Sequence, residues 1–309
     1  MRILLTSTSF QDTPGDHHEL LNKQDFLIDR LRGPLKEQVL LDVIENYDGI
    51  ICGDDEITKQ VIEKGVKNKL KIISKYGIGL DKVDVKAAQE LQIPVTNCPG
   101  VNQVTVAEHV FALLLSYVKN IIHENEYIQK QEWTRLIGND IYGKTLGILG
   151  LGHVGKEVAI RARAFGMNVV AFDKFRDENF AQGNQITYCD ELDDLLSRSD
   201  VISLNMSLDA ASRNIINAKS LEFLKPGVII INTARAGLVE QGAIIAGIET
   251  KKVSAYLTDV LEEEPMVKDH PFLKYKNIII TPHIGSRTYE NVVRQGLMAV
   301  ENLLKHIRL

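Results

Sequence analysis

Three side chains that suit acid–base chemistry on a carboxylic acid stand beside apolar runs in the second half of the chain. Arg235 comes just after VIIIN, a glutamate of DVLEEEP (Glu262, Glu263 or Glu264) follows Asp259, and His283 comes just after IIITP. A guanidinium offers paired N–H donors that match a carboxylate, and an imidazole exchanges a proton near neutral pH. Open parallel sheets bind ligands at the carboxyl ends of their strands, so we expect the three side chains to share a site.

Each of these residues also has an ordinary interpretation. Arg235 could pair with Glu240 at the surface, an acidic run is usually a solvated loop, and a single histidine is more often structural than catalytic. Of eight histidines, His283 is the one at a predicted strand end with a proline before it and a glycine after it, whereas His109 lies inside a predicted helix. The combination of arginine, glutamate and histidine favours a catalytic site.

A glycine-rich turn marks a second functional region. Gly150, Gly152 and Gly155 form the pattern G-x-G-x-x-G between an apolar strand and a helix. Glycines at this spacing let backbone N–H groups at a helix N-terminus approach a pyrophosphate. Asp173 ends the next strand, 18 residues after Gly155, where an acid accepts hydrogen bonds from an adenosine ribose. Any strand–helix–strand unit can carry glycines at its turn, but this full context favours dinucleotide binding.

The acid also predicts which dinucleotide is bound. A carboxylate at position 173 repels a 2′-phosphate, so NAD is expected rather than NADP. Lys174 and Arg176 follow Asp173 closely, and they leave the strictness of that preference open.

The elements that must position these residues are short apolar runs alternating with helix-period segments, which predicts parallel sheets covered by helices. The predicted strands are Arg2–Thr6, Gly49–Cys52, Lys71–Ser74 and Pro94–Asn97, and then LGILG, NVVAF, DVISL, GVIII, SAYLT and NIII from Thr145 onward. The predicted shorter helices are Leu35–Asn46, Thr58–Gly65, Lys86–Gln92 and Ser220–Leu224. A long helix, capped by Asn102 and apolar along one face to Val118, is expected to join two doubly wound units.

Composition narrows the class of protein. The chain has 309 residues, enough for two domains, and its net charge of −5 argues against a nucleic-acid surface. No signal peptide is evident, and the longest apolar run, Val110–Val118, is too short for a membrane span. Three cysteines lie far apart without metal-ligand spacing. We therefore expect a cytoplasmic enzyme or binding protein with no metal, nucleic-acid or membrane partner.

Four motifs together resemble the D-isomer-specific 2-hydroxyacid dehydrogenase family, which includes phosphoglycerate and D-lactate dehydrogenases. They are KYGIGLDKVD, NCPGVNQVTVAEH, the glycine-rich turn and TPHIGSRT; the resemblance is weakest over the first 70 residues. It implies two Rossmann-like, doubly wound α/β domains with a cleft between them. A flavodoxin-like substrate domain (1–100 and 286–309) would include the C-terminal helix, and an NAD-binding domain (101–285) would carry the contact of a homodimer.

The resemblance also implies roles in reversible hydride transfer between nicotinamide and a 2-oxo or 2-hydroxy acid. Arg235 would bind the substrate carboxylate and polarise the 2-oxo group. His283 would be the acid in reduction and the base in oxidation, and Glu264 would hold the imidazole and favour its protonated form.

The same resemblance assigns the binding residues. His153 and Val154 would contact the pyrophosphate through their backbone, and the nicotinamide side would be lined by Asp259, Thr233, Ala234, Gly285 and Ser286. In the substrate domain, the N–H groups of Gly77, Ile78 and Gly79 would form a nest for the substrate carboxylate. Lys75 would add a charge for a second anionic group.

Three questions stay open from the sequence. Phosphohydroxypyruvate, glyoxylate or hydroxypyruvate, branched 2-oxo acids and phosphite all remain possible substrates. Where relatives often have His-x-Pro-Leu, this chain has NMSL at 205–208, which leaves the adenine-side contacts undefined. The alternative to an enzyme is an NAD(H)-sensing, corepressor-like binding protein, and the presence of Arg235, Glu264 and His283 favours the enzyme.

Overall fold

The computed structural model describes residues 1–307, which divide into two compact units. The first unit comprises Met1–Asn102 and the segment that begins at Arg287, and the second unit comprises Gln103–Ser286.

The first unit contains a five-stranded sheet in which all pairs are parallel. Its strands are β1 (Arg2–Leu5), β2 (Leu27–Arg30), β3 (Gly49–Cys52), β4 (Ile72–Lys75) and β5 (Val95–Thr96). They lie in the order β2-β1-β3-β4-β5, which is the flavodoxin-like order. Strands β3 and β4 are buried along their whole length; β3 has no polar side chain, whereas β4 ends in Ser74 and Lys75.

Six helices cover this sheet. They are α1 (Thr8–Asp12), α2 (Asp16–Asn22), α3 (Glu37–Val43), α4 (Lys59–Asn68), α5 (Val85–Glu90) and the C-terminal α12 (Tyr289–Ile307). The apolar face of α12 buries Ala299, Val300 and Leu303 in the same cluster as Ile3 and Leu5 of β1. Helices α1 and α2 and strand β2 were not predicted from the sequence.

The second unit is built on a seven-stranded parallel sheet. Its strands are β6 (Thr145–Leu149), β7 (Asn168–Phe172), β8 (Ile186–Tyr188), β9 (Val201–Leu204), β10 (Val228–Asn232), β11 (Val253–Thr258) and β12 (Ile278–Ile280). The order β12-β11-β10-β9-β6-β7-β8 contains the Rossmann arrangement extended by one strand. The two sheets confirm the predicted class of Rossmann-like, doubly wound α/β domains.

The helices of the second unit are α6 (Gln103–Val118), α7 (Ile121–Gln129), α8 (His153–Ala164), α9 (Glu178–Gly183), α10 (Leu192–Arg198) and α11 (Gln241–Glu249). The predicted helix at Ser220–Leu224 is wrong, since that segment forms a single 3-10 turn, Ser220–Glu222. Within residues 1–307, no single helix has both the length and the apolar composition of a membrane span; only α6 and α7 taken together, bent by 60°, reach it.

Candidate active site

The three glycines of the turn between β6 and α8 lie in different surroundings. Gly150 has φ +93°, and a Cβ there would lie 2.9 Å from the backbone of Asn205. A Cβ on Gly155 would lie 2.1 Å from the carbonyl oxygen of Gly150. Gly152 has an ordinary φ of −75°, and a Cβ there would meet no protein atom within 4 Å. The protein itself therefore explains Gly150 and Gly155, whereas open space at Gly152 suits a ligand that approaches the backbone.

Helix α8 begins at this open position. His153 and Val154 occupy its first turn, and no side chain caps it at Gly152. The first N–H groups of a helix have no intrahelical acceptor and carry the positive end of its dipole. The turn can therefore hold an anionic pyrophosphate through its backbone.

Asp173 lies beside this turn. Its Oδ2 accepts a hydrogen bond from the N–H of Leu151 at 2.6 Å, and its Oδ1 accepts one from the N–H of Phe175 at 2.8 Å. The two neighbouring cations face other acids: Lys174 Nζ is 3.9 Å from Asp209, and Arg176 donates to Asp190 at 2.8 Å. The structure thus brings Asp173 to the glycine-rich turn, as a ribose-binding acid requires.

His283 and Glu264 form a direct pair. His283 Nδ1 lies 2.8 Å from Glu264 Oε2, and Glu264 Oε1 accepts a hydrogen bond from the N–H of Leu261 at 2.9 Å. Because a carboxylate only accepts, Nδ1 carries the proton of this bond. Nε2 is then the ring nitrogen that gains or loses a proton during a reaction.

The backbone of His283 is in a left-handed conformation, with φ +54°. Such a conformation costs a non-glycine residue roughly 1–2 kcal/mol. The N–H of His283 donates to the carbonyl oxygen of Asp259 at 3.0 Å, which ties the turn after β12 to the end of β11. An unusual backbone at a candidate proton donor is typical of functional sites.

Asp259 holds the rest of this turn. Its side chain is 2% exposed and accepts hydrogen bonds from the hydroxyl of Thr281 (2.6 Å) and the N–H groups of Ile284 (2.9 Å) and Gly285 (2.7 Å). Burial raises the pKa of this carboxyl, but the nearby imidazole of His109 and the hydrogen bonds from Thr281, Ile284 and Gly285 prevail and lower it. A Cβ on Gly285 would lie 2.9 Å from Asp259 Oδ2, so the turn needs glycine there. The predicted contact of Asp259 with the nicotinamide stays a prediction, and the turn continues into Ser286.

The loop after β10 is shaped by Asn232. This buried amide donates to the carbonyl oxygen of Arg235 at 2.9 Å and accepts from the N–H of Ala234 at 3.1 Å. These two bonds hold the loop from Thr233 to Arg235 against Asn232. Within the loop, Arg235 Nη1 donates to the carbonyl oxygen of Ala234 at 2.7 Å. Arg235, Asp259 and His283 thus follow three neighbouring strands, β10, β11 and β12, at one edge of the sheet.

In the first unit, Gly77, Ile78 and Gly79 follow β4. Their N–H groups donate no hydrogen bond within the part of the chain that the structure describes, and Gly77 has φ +128°. N–H groups without a partner in the protein are what a nest offers to a carboxylate, so the predicted nest stays a prediction. Lys75 differs from its prediction: it is 3% exposed and donates to Asp54 and to the carbonyl oxygen of Gly53. Its charge is paired inside this unit, which disfavours the predicted contact with a second substrate anion.

A family comparison decides the identity of this arrangement. The family model described as D-isomer specific 2-hydroxyacid dehydrogenase, NAD binding domain, matches residues 111–285, more than half of the chain. The chain belongs to the D-isomer specific 2-hydroxyacid dehydrogenase family. The matched segment of this dehydrogenase-family chain contains the glycine-rich turn, Asp173, Arg235, Glu264 and His283.

Individual relatives agree with this membership. The chain is 37% identical to the hydroxypyruvate reductase of Thermotoga maritima, over 93% of both chains. It is 36% identical to the D-3-phosphoglycerate dehydrogenase of Methanocaldococcus jannaschii over 89% of this chain, but it spans only 52% of that relative's length. The crystal structure of the TT0316 protein of Thermus thermophilus has a TM-score of 0.89 with 33% identity, covering 98% of this chain and 96% of that one.

Several predictions from the sequence are confirmed by family membership. The family, the fold class, NAD as cofactor and an oxidoreductase that acts on 2-hydroxy acids all agree with these relatives. The alternative of an NAD(H)-sensing corepressor is not favoured by them. The matched dehydrogenase relatives carry names of enzymes that act on small 2-oxo or 2-hydroxy acids.

Sequence reasoning missed the polar residues that support the dehydrogenase site. His109 Nε2 lies 2.9 Å from Thr281 Oγ1, and Asn232 organises the loop of Arg235. The only sequence signal for His109 is an imidazole within the apolar helix VTVAEHVFALLL. Asn232 could also have been identified, since it ends the apolar run VIIIN and a buried amide needs hydrogen-bond partners.

Proposed function

We propose that this protein catalyses reversible NAD-dependent hydride transfer to and from a D-2-hydroxy acid, with Arg235, Glu264 and His283 as its catalytic residues. The observation that carries the proposal is the 2.8 Å contact between His283 Nδ1 and Glu264 Oε2, with Glu264 itself anchored by Leu261. This pair fixes which ring nitrogen serves as proton donor, and Arg235 follows a neighbouring strand of the same sheet.

The proposed chemistry follows from these groups. NAD supplies or accepts the hydride when it is bound. As the 2-oxo group is reduced, negative charge grows on its oxygen, and a donor within about 3 Å must supply a proton. His283 Nε2 is that donor, the carboxylate of Glu264 stabilises the imidazolium before transfer, and the guanidinium of Arg235 binds the substrate carboxylate through two N–H groups.

The test is turnover by a variant that keeps its cofactor site. His283→Ala should bind NADH within about threefold of the parent, while the rate of NADH oxidation with a 2-oxo acid falls roughly 10²–10⁴-fold. His306→Ala is the control, because it also removes an imidazole but lies on α12 of the first unit. Full activity in His283→Ala would contradict the assignment.

We assign the pyrophosphate to the backbone of the turn at Gly152 and the first residues of α8, and the adenosine ribose to Asp173. Lys174 and Arg176 face other acids, so their charges are less able to attract a 2′-phosphate. NADH should therefore bind more tightly than NADPH.

We further propose a small 2-oxo acid without a second anionic group as the substrate. The nest at Gly77–Gly79 suits a carboxylate, and the nearest lysine in sequence, Lys75, already pairs with Asp54. Hydroxypyruvate and glyoxylate fit these features better than phosphohydroxypyruvate. Comparing kcat/KM for hydroxypyruvate and phosphohydroxypyruvate tests this choice, and a higher value for the phosphorylated acid would refute it.

We also propose a homodimer formed through α7 and the segment that follows it. Large apolar side chains are exposed there, including Trp133 (83%), Ile137 (96%), Ile121 and Ile128. Several large apolar side chains exposed along one segment suggest an interface between protein chains. Light scattering should give twice 34.6 kDa, and Ile137→Glu should yield a monomer. A monomeric parent would contradict this proposal; the cytoplasmic location stays a prediction.

A further inference from the structure

His109 has no role in the proposed chemistry, yet its imidazole contacts the turn that carries His283. It lies on α6, its side chain is 15% exposed, and Nε2 is 2.9 Å from Thr281 Oγ1 and 3.5 Å from Asp259 Oδ1. His109 therefore connects α6 to the residues that follow β11 and β12, next to His283.

The direction of each hydrogen bond in this cluster is fixed by its acceptor. The carboxylate of Asp259 can only accept, so the hydroxyl of Thr281 donates its single proton to Oδ1 at 2.6 Å. Thr281 Oγ1 then has only lone pairs for His109, so His109 Nε2 carries a proton and donates it. The result is a directed chain from His109 through Thr281 to Asp259.

The end of this chain controls the backbone around His283. Asp259 binds Thr281 on one side of His283 and the N–H groups of Ile284 and Gly285 on the other. Its carbonyl oxygen accepts the N–H of His283 itself. The orientation of one buried aspartate thus holds both flanks of a residue whose φ is +54°.

We propose that His109 is a positioning residue, which orients Thr281 and Asp259 and thereby fixes the left-handed turn that presents His283. Without the imidazole N–H, Thr281 loses a partner that restricts its side chain, and the Asp259 carboxylate loses a nearby donor. The turn then samples other backbone conformations, and the ring of His283 spends less time at the position where it can transfer a proton. This inference rests on the proposed function only for its kinetic readout.

The decisive variants keep the shape of the ring or restore its donor. His109→Phe retains a planar ring without an N–H, and His109→Gln places an amide N–H near the position of Nε2. We expect His109→Phe to lower kcat about tenfold with NADH affinity within about threefold of the parent, and His109→Gln to recover most of that loss. His306→Phe on α12 of the first unit is the control and should leave kcat unchanged.

A purely structural role for His109 gives a different result. His109→Phe would then lower the unfolding temperature, while kcat of the folded enzyme would stay at the parent value. His109→Gln would have no loss of kcat to restore, and the inference would be overturned. Thr281→Val cuts the same chain at its next member and provides the test if His109→Phe fails to fold. Combined in one protein, the two substitutions should lower kcat no further than either alone, since members of one hydrogen-bonded chain are not additive; additive losses would refute the chain.

A readout without turnover separates this inference from the proposed function. NMR signals of the His283 ring nitrogens should shift or broaden in His109→Phe and return towards the parent in His109→Gln. If the parent reduces no 2-oxo acid but these signals respond as expected, the proposed function fails and the positioning role stands. If the His283 signals are identical in parent and His109→Phe, the positioning role is wrong whatever the activity.

Discussion

The sharpest prediction concerns Gly152, because the folded protein itself gives no reason for a glycine there. Its φ of −75° suits any residue, and a Cβ would meet no protein atom within 4 Å. Gly152→Ala should therefore change the free energy of unfolding by no more than about 1 kcal/mol, with any change towards higher stability arising because alanine restricts the unfolded chain. The added methyl group would occupy the space through which a pyrophosphate reaches the N–H groups of α8.

The expected loss is in cofactor affinity. Hydrogen bonds to a charged group contribute about 1.5–3 kcal/mol each. Displacing the pyrophosphate from even one N–H should thus weaken NADH binding by roughly 10–100-fold. Titration of NADH fluorescence measures the affinity, and urea unfolding measures the stability.

Two further glycines make the experiment specific. Gly155→Ala places a Cβ 2.1 Å from the carbonyl oxygen of Gly150, so the backbone must shift, at a cost of about 1–3 kcal/mol of stability. Gly242→Ala is the matched control: Gly242 lies in the first turn of α11, and a Cβ there would have no atom within 4 Å. It should keep both stability and NADH affinity. If Gly152→Ala binds NADH as tightly as the parent, the assignment of the pyrophosphate to this turn is refuted.

Four other substitutions test the remaining groups. Asp173→Asn should lower the dissociation constant of NADPH relative to that of NADH, because it removes the charge that repels the 2′-phosphate. An unchanged ratio of the two constants in a fluorescence titration would contradict this. Glu264→Gln should lower kcat about 10–100-fold with NADH affinity intact, whereas Glu263→Gln in the same loop should not. The pKa of Asp259 is lowered by its hydrogen bonds, so its ionised form stabilises the fold above about pH 4 and this contribution is lost as the pH falls; the stability gap between parent and Asp259→Asn in urea should narrow from pH 7 to pH 3. His283→Gly should be more stable than His283→Ala by about 1 kcal/mol, because φ +54° favours glycine; the usual opposite order in urea unfolding would show that the turn is not left-handed.

Strands buried on both faces were predictable from the sequence, whereas β2 and β8, two of the four edge strands, were not. Val228–Asn232 is buried at every position, and its first four residues form a continuous apolar run. By contrast, β2 (Leu27–Arg30) lies at the edge of its sheet and has no buried position, and β8 (Ile186–Tyr188) is a three-residue edge strand. Strand β2 ends in the charged residues Asp29 and Arg30, and β8 has only three residues, so neither segment is apolar or long enough to be identified as a strand.

In the candidate site, residues marked by their sequence neighbours were predictable, whereas contacts between residues far apart in sequence were not. Gly152, Asp173 and His283 were identified because their neighbours in sequence place them at strand ends. The ion pair of Lys75 depends on the alignment of β3 with β4, in which Cys52 lies opposite Lys75. This alignment places Asp54, two residues after Cys52, beside the ammonium group. His109 contacts a threonine 172 residues away, and no local pattern records that contact.

The two ends of the site use backbone conformation for opposite purposes. At Gly152 the proposed assignment requires that a side chain be absent so that a ligand can reach the backbone, whereas His283 keeps a side chain in a conformation that glycine would adopt more easily. That choice is sensible only if the imidazole itself is needed at this point, because the left-handed backbone costs roughly 1–2 kcal/mol. The hydrogen bonds of Asp259 on both sides of His283 can offset such a cost, since each bond to a charged group contributes about 1.5–3 kcal/mol. A buried aspartate that stabilises an unfavourable turn around one exposed imidazole is the arrangement expected when that imidazole must remain in place while its proton moves.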